Sequence, residues 1–193
     1  MMIFLILLPF GVFSLLMLLT AAEIALIAAT FTGLAVIAHD LVRGRQLKML
    51  GAGAVLLFLG LGLYLTLVDA GLSASAIKLT VDSGVLAIAL ASLAIRHPFT
   101  LQYAREMVDA ETAVLPGFIR ANYIITWAWA ACMALMMFGN MLMIYLPGLP
   151  LWAGVAIAFA ARGTAVYFTK WYPNYRRAKC ASPAASAGAP SGS

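Results

Sequence analysis

The sequence predicts an all-α, polytopic integral membrane protein with six transmembrane helices paired as three hairpins. Three observations predict it. Hydrophobic residues make up 64% of the chain and charged residues only 10%, with a mean hydropathy of +1.00, whereas soluble domains carry about 25% charged residues. The apolar residues gather into stretches close to the ~20 residues that a bilayer-spanning helix needs. The basic residues fall on alternate connections between those stretches. Within 193 residues, six spans and short connections leave no room for a further globular domain, so residues 1–179 read as one membrane domain.

Residues 3–38 are apolar almost throughout. As one helix they would run about 54 Å against a hydrocarbon core of about 30 Å, so two spans share the stretch. The polar interruption Thr20-Ala-Ala-Glu23 divides it into spans over 3–20 and 23–38. A cleaved signal peptide is the rival reading of the first span, but Met1 to Phe4 offers no basic leader. After the basic loop His39–Lys48, a third span covers 49–68, and its Gly51, Gly53, Gly60 and Gly62 predict close helix packing. Ser73 or Ser75 caps a fourth span over 77–95. Pro98 disfavours helical geometry at His97 and ends that span. Over 99–112 the recurrence of Phe99, Tyr103 and Met107 at helical spacing predicts an amphipathic segment lying on the membrane surface. Leu115-Pro-Gly117 turns the chain back into a fifth span over 123–144. Pro147-Gly-Leu-Pro150 closes a tight loop before a sixth over 151–168. The small, polar composition of 180–193 predicts a disordered tail.

With six spans, Arg43, Arg45 and Lys48, then Arg96, Arg105 and Arg120, then Lys170, Arg176, Arg177 and Lys179 all fall on one side. That is ten of the twelve Lys and Arg residues, and the opposite connections carry only Glu23 and Asp69. The positive-inside rule then places both termini in the cytoplasm, N-in and C-in. Topology accounts for the net charge of +5 without a nucleic-acid partner. Arg43, Arg45, Lys48, Arg176, Arg177 and Lys179 are the residues expected to meet anionic lipid headgroups.

Several features share their order and spacing with a known family. They are Leu8-Pro9 in the first span, the run Ala25-Leu-Ile-Ala-Ala-Thr30, and the basic loop around Arg43-Gly-Arg45. Ile77-Lys78, the basic-proline junction Arg96 to Pro98, Asn122 with Trp127, and Asn140 ahead of Leu146-Pro147 follow. In this order, over residues 8–170, the chain resembles the bacterial intracellular septation protein A (YciB-like) family. The resemblance implies a small polytopic protein of the bacterial inner (cytoplasmic) membrane, with a structural or interaction role in envelope maintenance or division. It offers no catalytic residues to carry over. Other envelope membrane proteins, or a second copy of the chain, are the partners it implies beside membrane lipids. The run Arg96–Glu106 departs from the pattern of the best-known members.

The residues that can carry chemistry are the charges and amides inside the spans. Charges in hydrocarbon cost at least ~2.5 kcal/mol each on insertion scales. Lys78 and Asp82 lie one helical turn apart and share a face. One reading has Lys78 snorkel to the interface with Asp82 as its partner; the other makes Asp82 a relay for protons or ions. Arg162 lies roughly 12 Å inside the boundary marked by Lys170, on a face with Gly154 and Ala158, and requires an acceptor. Asp82, about 9 Å away in depth, is the candidate, as an interhelical bridge. Asn122 and Asn140 are expected to hydrogen-bond across helices.

Met133, Met136, Met137, Met141 and Met143 resemble a soft-metal path, but they lack His partners at ligand spacing and read as gap-filling side chains. No metal, cofactor or catalytic motif is present in the sequence, and an enzyme is not expected. The primary expectation is therefore a non-enzymatic membrane protein of the septation type. Its alternative is a small transporter or channel with a polar path through Lys78, Asp82 and Arg162.

Overall fold

Eight helices follow one another without a strand among the described residues, which are 2–69, 71–146, 148 and 151–186 of the computed structural model. They are α1 (Met2–Leu19), α2 (Ala22–Val42), α3 (Met49–Leu67), α4 (Ala74–Ala94), α5 (Phe99–Arg105), α6 (Ala110–Val114), α7 (Pro116–Tyr145) and α8 (Leu151–Ser186). Four of them, α2, α3, α4 and α7, are long and apolar enough to cross a membrane, and Leu8–Leu19 of α1 forms a shorter apolar stretch. The outward surface is apolar: Leu18, Phe31, Leu67, Phe138 and Phe159 are all exposed. Lipid is the solvent that such a perimeter fits.

Each boundary has a local cause. α1 and α2 part at Thr20-Ala21, the position of the polar interruption. Ser73 caps α4, accepting from the Ala76 amide at 3.2 Å, so the helix begins three residues before the expected Ile77. α2 and α4 end in the same way. Past α2, Gly44 has φ +68°, with Gly44 N–H donating to Leu41 O at 2.9 Å and Arg45 N–H to Asp40 O at 3.0 Å. Past α4, Arg96 has φ 59°, with Arg96 N–H donating to Leu93 O and His97 N–H to Ser92 O, both at 3.0 Å. Both are Schellman closures, a motif whose left-handed residue is usually glycine. α7 starts at Pro116, where the missing N–H costs nothing, and runs seven residues earlier than the apolar pattern alone predicts. The helix α8 carries through to Ser186, past residue 180 where the tail was expected to start; residues 187–193 lie outside the described residues. Pro147, Leu149 and Pro150 of the expected tight loop are outside them too.

The long helices pack in sequence order, α1 on α2, α2 on α3, α3 on α4, then α4 on α7 and α7 on α8. Phe58 of α3 is wholly buried, with the rings of Phe10 and Phe13 from α1 each 5.4 Å from its own. Glycines admit close approach where helices cross: a Cβ at Gly33 would lie 2.7 Å from Val55 Cγ2, and one at Gly139 3.0 Å from Ile157 Cγ2.

The segment after Pro98 departs most from expectation. α5 does not lie on the surface: Phe99, Leu101 and Tyr103 are buried, and Phe99 meets Trp129 edge-on at 6.5 Å. Thr100 and Gln102 make that burial tolerable, because each finds a partner. Thr100 donates to Asn122 O at 2.9 Å and shares a 2.6 Å hydrogen bond with the Thr126 hydroxyl, both on α7. Gln102 accepts from the Met49 amide at 2.8 Å and so caps α3. Ser92, fully buried in the last turn of α4, accepts from Phe99 N–H at 3.2 Å and ties the two segments together.

Candidate functional site

Two polar constellations stand out against the apolar bundle. The first closes the end of the molecule where the α2–α3 loop and α5 meet, called here the basic end. Lys48 is 7% exposed and reaches Asp40 at 2.6 Å and Glu106 at 3.1 Å. Arg45 adds a 3.1 Å pair with Asp40 and a 3.8 Å approach to Glu106. Glu106 Oε2 is buried and in no aligned hydrogen bond, so it is held by these charges alone. The Lys48 ammonium also sits 4.9 Å from the Tyr103 ring centre, a cation–π contact. Burial, with the negative charges of Asp40 and Glu106 added, pushes the Tyr103 phenol well above its ordinary range. Arg45 and Lys48, expected at lipid headgroups, are thus engaged by the carboxylates of Asp40 and Glu106. Arg43 and Lys179 are exposed, and the Arg177 side chain lies outside the described residues.

The second constellation is a cavity of about 710 Å³ bounded by α7 and α8 on one side and by α4 and α5 on the other. α8 contributes a stripe, Arg162, Thr169, Pro173 and Arg176, at spacings of seven, four and three residues. At 1.5 Å per residue that stripe runs roughly 21 Å along the helix. α7 lines the opposite wall with Phe118, Asn122, Ile125, Trp129, Met133 and Met136. Trp129 Nε1 donates to Thr169 Oγ1 at 2.9 Å, joining the two walls. Trp129 is buried there. Pro173 offers no N–H, so the Thr169 carbonyl loses its intrahelical donor within this lining.

Asp82 and Arg162 both line this cavity, and they do not reach ion-pair distance of each other. Asp82 accepts a hydrogen bond from Asn140 Nδ2 of α7. Arg162 Nη2 donates across the gap to Ser14 Oγ of α1 at 3.5 Å, the long limit of such a bond. The expected Asp82–Arg162 bridge is therefore replaced by two separate neutral partners. Lys78, half-buried one turn before Asp82, does not line the cavity. Asn122 does not bond across helices through its side chain: it donates to Phe118 O of its own helix at 3.0 Å, and its backbone carbonyl receives Thr100.

Ser14, Thr100, Gln102, Asp40 and Glu106 were not singled out by the sequence. Asp40 and Glu106 carried a signal, since they are the only acids flanking the basic clusters at His39–Lys48 and Arg96–Arg105. Among the described residues no three His, Cys, Asp or Glu side chains gather as a metal site. No family model, no curated protein and no solved structure matches the chain.

Proposed function

We propose that the protein is a six-span, N-in and C-in protein of the bacterial inner membrane that moves a small ion or solute along a polar path through Arg162, Asp82 and Lys78. The observation that carries the reading is that Asp82 and Arg162 face the same cavity without forming an ion pair. A structural lock calls for direct pairing, because a charge buried in hydrocarbon without a charged partner or water is expensive. Two charges held apart on the wall of one cavity suit a passing ion. Lys78, outside the cavity lining, lies about 6 Å further along α4 from Asp82, towards the end opposite the basic one, where an ion leaving the cavity would meet it. The reading is non-enzymatic and keeps the setting implied by the septation-type resemblance, with envelope maintenance exercised through solute movement.

The test is flux. Purified protein in liposomes carrying a pH-sensitive interior dye is compared with Asp82→Asn protein that elutes as a single species and retains its helical circular dichroism. Flux in the first and loss in the second is the expected result. Equal flux in both removes Asp82 from the path, and no flux of protons or small ions in either overturns the transport reading.

A further inference from the structure

We propose that the half of the cavity nearest the basic end is a binding site for an anionic phospholipid, with its phosphate held by Lys170 and Arg176 and an acyl chain lying along α7. The inference is independent of whether a solute crosses the protein.

Charge and shape both argue for this occupant. Among the described residues lining the cavity, Asp82 is the sole carboxylate. It bonds Asn140, whereas Arg176 lies against Gly117, where a Cβ would sit 3.6 Å from Arg176 Nη2. Residues 117 and 140 of α7 are separated by roughly 34 Å along the helix, so Asp82 does not offset the charge at the basic end. Lys170 joins Arg176 there, on a lining otherwise neutral over Thr112, Leu115, Gly117 and Phe118. Leu115 caps α7 without a side-chain acceptor, so the positive pole of that helix adds to the two cations.

Away from these charges the walls turn apolar. Ile125, Val85, Met133 and Phe10 line the cavity towards its interior. The volume of about 710 Å³ falls in the range of roughly 300–1,000 Å³ typical of sites for small organic ligands. A small inorganic anion satisfies the cations and leaves this apolar length unfilled, while a neutral lipid fills the length and leaves the cations unsatisfied. A phospholipid with a net negative headgroup does both.

Native mass spectrometry of the full chain in a neutral detergent tests it, with dioctanoyl phosphatidylglycerol and dioctanoyl phosphatidylcholine as matched probes. The expected result is a preference for phosphatidylglycerol of roughly thirtyfold, the weight of two basic residues at a membrane surface. The double variant K170A/R176A loses that preference while binding phosphatidylcholine as before, which shows its cavity intact. The double variant R43A/K179A, at exposed basic residues elsewhere, keeps the preference. Ala121→Phe, which narrows the cavity, weakens both lipids. Equal retention of the two lipids by the unaltered protein overturns the proposal, as does equal loss of preference in R43A/K179A. Displacement by glycerol phosphate at the same concentration as the lipid also overturns it, since an anion site without a chain is then sufficient. Proton or ion flux is scored separately, so failure here leaves the transport reading standing.

Discussion

Gln102 and Met49 lie 53 residues apart, yet the Gln102 side-chain carbonyl accepts the Met49 amide N–H at 2.8 Å. A short helix thereby supplies the cap that Lys48, at the N-cap position of α3, does not give. The same helix places Glu106 on Lys48 and Thr100 on α7. α5 thus joins the first half of the bundle to the second through polar contacts made in a protected setting.

Lys48→Met leaves Asp40 and Glu106 facing each other without their buried cation. Removing one member of a buried ion pair costs about 3–5 kcal/mol, and the lower part of that range fits because both carboxylates retain some solvent exposure. Thermal unfolding in detergent should show a clear fall in Tm. Adding Asp40→Asn to Lys48→Met should recover part of it, and a double variant less stable than the single one counts against the ion-pair account.

The Asp82–Asn140 hydrogen bond couples α4 to α7. Interhelical hydrogen bonds in membranes average about 0.6 kcal/mol with a maximum near 1.7. A double-mutant cycle over Asp82→Leu and Asn140→Leu should return a coupling of about 1 kcal/mol in thermal unfolding. Coupling indistinguishable from zero would remove this contact from the set that holds the bundle.

The two left-handed residues respond in opposite ways. Gly44→Ala meets no atom within 4 Å, so its cost is conformational alone, about 1 kcal/mol. Arg96→Gly relieves the same strain, partly offset by the larger unfolded-state entropy of glycine. The Arg96 carbonyl that accepts from Tyr123 Oη at 2.9 Å is retained in that variant. Tm should fall for Gly44→Ala and hold or rise for Arg96→Gly.

Asp109 caps α6, accepting from the Thr112 amide at 2.6 Å, and that bond holds its carboxyl below the usual aspartate value. A carboxylate with a lowered folded pKa contributes stability above its unfolded pKa of about 3.9 and loses it as pH falls through the folded value. Hydrogen exchange at the Thr112 amide should therefore show constant protection between about pH 5 and 8 and a loss of it below about pH 4. Asp109→Ala should lack protection throughout, and an unchanged Thr112 amide in that variant would show that the cap is not what holds α6.

The spans were legible because apolar run length carries them. Three of the four helices shown to be long and apolar enough to cross a membrane, α2, α3 and α4, begin within three residues of the expected positions and end within four. α7 ends within a residue of the expected position, but its start was not legible, since Arg120 interrupts the apolar run while the helix continues through it from Pro116. Misreading α5 had a different cause. Phe99 and Tyr103 at helical spacing describe an apolar stripe, and a stripe does not say whether it faces lipid or protein.

The sequence by itself determined the helical membrane character, the gathering of charge at alternate connections, and the turns at Thr20, Ser73 and Pro98. These follow from short-range chemistry: apolar length, capping side chains and proline geometry act over a few residues. Only the tertiary structure decided which polar groups meet. Asp82 takes Asn140 and not Arg162, Arg162 takes Ser14 from the other end of the chain, and Lys48 is claimed by Asp40 and Glu106. Such pairings depend on distances between segments 58 or 148 residues apart, as for Asp82–Asn140 and Arg162–Ser14. Several polar residues lie at similar depth in the bundle, and helix packing alone sets which of them come within hydrogen-bonding reach.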